Sequence, residues 1–220
     1  MFAHVLSPFI ANTPMDGTAT AALAAAVTRA HGFGFVGGGF TWAASSTQLG
    51  SLEKGLLQAR GLLGFRALPI QENDDQAIDT LPIGVGFLTF HNDDAGIPSD
   101  SPTPPSGRVA LRTGRPPNAK LIKEIKSAGD SWNLKVFVQI CSVHTAVEAV
   151  NDGEDVIVAQ GSDAGGHQFT SNSRIIALLP EVSDTVKKLQ KEVPFIAAGG
   201  IMDGRGIAAA LAFGIDTSIP

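Results

Sequence analysis

Short apolar runs, each followed by a stretch of helical character, recur along this chain, and that alternation limits its fold more than any other feature. Strands are expected at 33–36, 82–88, 134–140, 155–160 and 194–198, with a weaker one at 6–12. Between them, helices are expected over 18–30, 47–62, 118–128, 143–151, about 176–191 and 204–213. The first of these is alanine-rich and opens near a threonine able to cap it. The third carries Leu121, Ile122 and Ile125 at helical spacing, with Lys and Glu on its other face. Repeated strand–helix units build a parallel sheet covered by helices, and right-handed crossovers reduce the choice to a doubly wound sheet or a β/α barrel.

One interval breaks the rhythm. Residues 91–117 carry Asp93-Asp94, Ser101-Pro102-Thr103-Pro104-Pro105 and Pro116-Pro117, the composition of an irregular Pro/Ser-rich insertion. It conceals one strand at most, around 108–111. With that strand the chain offers seven candidates and none for an eighth, because Thr217-Ser218-Ile219-Pro220 follows Ile215-Asp216. Barrels of this kind commonly run to about 250 residues. The 220 residues are therefore read as a single domain, 1–220, that stops before barrel closure.

The bulk numbers remove several function classes. With 44% hydrophobic and 17% charged residues, a large core is attainable. A formal charge of −5 and the lack of any basic cluster give no electrostatic footprint for nucleic acid. Cys141 is the single cysteine, so no intrachain disulfide or Cys-rich metal site forms, and its place after an apolar run predicts a partly buried thiol. His4, His31, His91 and His144 lack metal-ligand spacing. No apolar run reaches the roughly 18 residues of a membrane span, and the N-terminus lacks the pattern of a signal peptide. A cytoplasmic protein is expected.

Two strand–glycine–helix joints hold the chemistry. The first is Ala159-Gln160-Gly161-Ser162-Asp163-Ala164-Gly165-Gly166-His167-Gln168; the second is Ala197-Ala198-Gly199-Gly200-Ile201-Met202-Asp203-Gly204-Arg205-Gly206. Such loops offer backbone N–H groups with little side-chain bulk, which suits a phosphate-bearing ligand. His167 adds the side chain type that exchanges protons near neutral pH. By itself this histidine would be read as a loop residue without a chemical role; beside the two joints it is read as an active-site residue. Without further information Gly199-Gly200 serves a tight turn as readily as a phosphate. Asp163 is read as a loop carboxylate or cap, and Asp203-Gly204-Arg205 as the start of the last helix, with Arg205 in an ion pair.

These residues resemble the nitronate monooxygenase family, long called 2-nitropropane dioxygenases. The resemblance is carried in order by Thr13-Pro14-Met15-Asp16-Gly17, Gly32-Phe33-Gly34-Phe35-Val36-Gly37-Gly38-Gly39, Ile83-Gly84-Val85-Gly86-Phe87, Val138-Gln139 and the two glycine joints. It implies a TIM-type (β/α)8 barrel holding FMN, and the oxidation of alkyl nitronates by O2 to a carbonyl compound and nitrite. By the same resemblance Met15, Gln160, Gly165, Gly199 and Gly200 are expected at the cofactor. His167 is expected as the base for a neutral nitroalkane, or beside a nitronate that arrives ionised. The family's eighth strand, whose Gly-Thr pair completes the phosphate cradle, has no counterpart here. Two alternatives follow: a truncated, non-catalytic remnant, or an FMN-dependent reductase using NADH with a quinone or enoyl thioester. Homo-oligomerisation would cover the open edge that a missing strand leaves.

Overall fold

The computed structural model describes residues 4–40, 46–65, 80–88, 107–113, 119–130, 134–189 and 191–215, with the backbone alone for 107–113. Six strands and six helices are described. They run α1 (Ala21–Arg29), β1 (Gly34–Gly39), α2 (Thr47–Leu63), β2 (Leu81–Leu88), β3 (Gly107–Thr113), α3 (Ala119–Ala128), β4 (Lys135–Ile140), α4 (Val143–Asp152), β5 (Val156–Gln160), α5 (Ile175–Lys188), β6 (Phe195–Ala198) and α6 (Gly204–Ala212). The sheet has the order β1-β2-β3-β4-β5-β6, and every neighbouring pair is parallel.

Local chemistry sets the boundaries. Thr20 Oγ1 accepts the Leu23 N–H, so α1 begins three residues later than composition implied. Ser142 and Thr145 form a reciprocal capping box at the start of α4, and Gly153 ends that helix in a left-handed conformation. Such a cap contributes about 1 kcal/mol, enough to fix a ten-residue helix whose sequence carries β-branched residues. Asp203 caps α6 through the N–H groups of Arg205 and Gly206, and its carboxylate pairs with the Arg205 guanidinium, as the sequence indicated.

One expectation needs correction. The strand at 6–12 is reduced to a single parallel bridge, Ala11 with Phe33. The strand expected around 108–111 is present as β3, inside the sheet between β2 and β4. Residues 89–106 and 114–118 lie outside the described residues, as do 216–220, on which the expected stop before an eighth strand falls.

Alternation along the strands divides the core. Val136, Val138, Ile140, Ile157 and Ala159 pack against α3, α4, α5 and α6 on the helix side. Val36, Leu81, Ile83 and Val85 pack against α1 and α2. The opposite face collects Phe33, Phe35, Phe137, Val156 and Val158, with Phe9, Ile196 and Ala198 against them. In a flat sheet β1 and β4 would stand about 14 Å apart, three spacings of about 4.8 Å. The Phe35 ring nevertheless meets Phe137 edge-on at 6.1 Å between centroids, and Phe33 lies 6.4 Å from Phe137. The sheet therefore curls around this aromatic cluster, and apolar burial on the concave face drives the curvature.

Candidate functional site

The C-terminal ends of parallel strands share one edge of the sheet, and loops at that edge are free to vary without disturbing the core. Gln160 ends β5 on the concave side, following Val156 and Val158 at two-residue intervals. It is buried, with 7% exposure. Its Nε2 donates to the His167 carbonyl at 3.4 Å, while its Oε1 is buried and has no hydrogen-bond partner among the described residues. A buried amide oxygen left unsatisfied costs roughly 1–3 kcal/mol, so this atom marks a position at which a donor is missing.

Beyond Gln160 the chain forms a loop from 161 to 174 whose ends meet. Ser162 N–H donates to Ser173 O at 2.9 Å, and Arg174 pairs with Asp163 at 3.6 Å. The arginine is 79% exposed, so the ion pair adds at most about 1 kcal/mol and the backbone bond is the principal closure. Within the loop, Gln168 Nε2 contacts Ala164 O, and Asn172 donates to Gln168 Oε1. Gly165 and His167 are both exposed, and a side chain at Gly165 would meet nothing within 4 Å.

The second joint is built differently. Gly199 and Gly200 have φ of 102° and 72°, in the region that favours glycine. A Cβ on Gly199 would lie 2.9 Å from Ala164 Cβ and N, and one on Gly200 would lie 2.9 Å from Asp163 Cβ. Gly161 N–H also donates to Ala198 O at 2.9 Å. The two joints thus press directly on each other, and the glycine pair is required by the neighbouring turn. Among the described residues, no hydrogen bond engages the N–H of Gly165, Gly199 or Gly200.

Met15 reaches the same edge from the N-terminal segment. It is 43% exposed, in a turn that lies over Gly37, where a Cβ would stand 2.9 Å from Met15 O. The structure therefore brings Gln160, Gly165, His167, Gly199 and Gly200 into two touching loops and puts Met15 at the end of β1. Sequence reading missed Asn12, whose side chain binds the backbone of Phe35 on both sides. An amide two residues before a proline turn was the available signal. Cys141 is buried, and burial pushes its thiol pKa up, which suits packing rather than nucleophilic attack. Among the described residues no cluster of potential metal ligands occurs, and no helix is long and apolar enough to cross a membrane.

A parallel β/α sheet, curled over an aromatic core and carrying glycine loops at its C-terminal edge, defines a class of proteins that hold small molecules at strand ends. Within that class the chain belongs to the nitronate monooxygenase family, whose sequence model matches residues 2–218. It is 36% identical to the nitronate monooxygenase of Neurospora crassa over 98% of this chain and 59% of that protein. A FabK mutant from Thermotoga maritima superimposes with a TM-score of 0.67 and 25% identity, covering 98% of this chain and 62% of the other. The nitroalkane oxidase of Streptomyces ansochromogenes gives 0.66 and 23%, covering 96% and 64%. The chain thus spans about three fifths of the length of the relatives it matches.

Proposed function

We propose that this chain takes part in FMN-dependent oxidation of alkyl nitronates by O2 to a carbonyl compound and nitrite, on a (β/α)8 barrel frame. The observation that carries the reading is the orphaned, buried Gln160 Oε1 beside the His167 loop. A flavin fits the residues present. Its ring presents an N–H for an amide acceptor, and its phosphate needs N–H donors without side-chain bulk, as at Gly165, Gly199 and Gly200. The Met15 turn closes the set at the end of β1. When bound, FMN supplies electron transfer from the substrate and reaction with oxygen.

The chain's own residues bind, orient and handle the proton. Gln160 fixes the His167 carbonyl and thereby the middle of the loop. The exposed His167 side chain takes the α-proton of a neutral nitroalkane, or sits beside a nitronate already ionised. The partners are then a small nitronate or nitroalkane and O2.

The test is the visible spectrum of the purified chain after incubation with FMN and desalting. A retained flavin band that bleaches when a nitronate is added without oxygen is expected. A colourless protein contradicts the reading and favours a non-catalytic remnant. In the loaded protein, His167→Asn is expected to lower nitroalkane turnover by about 10²–10⁴-fold. A thermal melt recorded alongside separates a loss of chemistry from a loss of folding.

A further inference from the structure

We infer that Asn12 and Gly37 together form the positioning device for the Thr13–Pro14–Met15 turn, setting how that backbone meets the cofactor. This rests on the FMN reading above. The ladder between the N-terminal segment and β1 amounts to one bridge, Ala11 with Phe33. At the next position a side chain replaces the backbone: Asn12 Oδ1 accepts the Phe35 N–H at 2.9 Å, and Asn12 Nδ2 donates to Phe35 O at 2.9 Å. Both polar groups of Phe35 on that side are satisfied by one amide, which also donates to Thr13 O at 3.2 Å.

The consequence is geometric. A strand that continued pairing would run on beside β1. An asparagine satisfies the neighbour while its own backbone turns away. The released turn then folds across the end of β1. Met15 O accepts from Thr18 N–H and Ala19 N–H, and Ala19 O accepts from Gly37 N–H at 3.2 Å. With Met15 O and Asp16 Cα at 2.9 and 3.0 Å from where a Gly37 Cβ would stand, the turn rests on bare backbone. Asn12 pulls the turn inward and Gly37 determines how far it travels. A longer, shorter or acidic residue at position 12, or any Cβ at 37, shifts Met15 relative to Gln160 and the glycine loops.

The test is a double-mutant cycle on FMN affinity, read by quenching of flavin fluorescence, with thermal melts and the absorption spectrum of the bound flavin recorded alongside. Asn12→Ala and Gly37→Ala are each expected to weaken FMN binding about tenfold or more, and the double variant no further than the weaker-binding single, because both act on one turn. The bound flavin's band shape is expected to shift in each single variant, which general destabilisation does not produce. Asn12→Asp keeps the acceptor for Phe35 N–H and loses the donor to Phe35 O; it is expected to bind FMN more weakly than the wild type, and it decides the matter if Asn12→Ala does not fold. Variants that melt earlier yet bind FMN with unchanged affinity and spectrum overturn the inference and leave the FMN reading standing. Losses that add independently also overturn it. Wild-type protein that fails to bind FMN overturns both.

Discussion

The joints after β5 and β6 look alike in sequence, each a short apolar strand opening into paired glycines, yet they answer to different forces. Among the described residues, nothing lies within 4 Å of a side chain placed at Gly165, so none of them demands a glycine there. Gly199 and Gly200 are confined by Ala164 and Asp163 of the other joint and by left-handed backbone. A glycine pair can therefore be required by the protein's own packing, while in the neighbouring joint Gly166, at φ 74°, is required only by its backbone. The first kind is read in stability; under the proposed FMN reading, Gly165 is read in binding.

Four substitutions press on that contrast. The largest effect is expected from Gly199→Ala, which adds backbone strain to a 2.9 Å contact with Ala164. Roughly 4 kcal/mol should be lost, visible as a large drop in denaturant midpoint. A mild outcome would erase the difference between the joints.

The opposite end of β5 supplies a control remote from the loops. Glu154 is buried there, and its pKa is pushed up to about 7, chiefly by burial and further by Asp152. Its own backbone N–H, and more weakly Lys126 and Lys191, only partly offset this. Lys126 is occupied with Asp155 and the Gly153 carbonyl, and Lys191 with the Val150 carbonyl. Because the folded-state value lies above the ordinary 4.5, the folded form holds the proton more tightly. Stability is thus full below about pH 4.5 and falls as pH rises to about 7, by about 3 kcal/mol in total. Urea midpoints across this range should slope downward for the wild type and flatten for Glu154→Gln. An unchanged slope would mean that Glu154 is solvated or paired in solution.

Smaller effects sharpen the picture of the first joint. Arg174→Ala removes an exposed ion pair and should cost no more than about 1 kcal/mol, since the Ser162–Ser173 bond still closes the loop. Gly165→Ala should leave stability within about 0.5 kcal/mol, yet weaken FMN uptake in the same desalting assay. A Gly165 variant that loses stability while binding FMN normally would reverse the roles assigned to the two joints.

Periodicity and punctuation alone determined the order of helices and strands, the parallel sheet and the two glycine loops, because hydrophobic pattern and capping act within a few residues. The Asp203 cap was legible for the same reason. The strand around 108–111 was legible despite its proline- and serine-rich flanks, while its full extent, Gly107–Thr113, depends on pairing with β2 and β4 on either side. Sequence could not separate Gly165 from Gly199, since only the approach of two distant loops gives one of them a neighbour at 2.9 Å. The exchange of a backbone ladder for the Asn12 side chain belongs to the same class. It takes a partner 23 residues away to make an asparagine structural rather than merely polar. Local chemistry named the pieces; long-range contact decided which of them the protein's own packing holds in place.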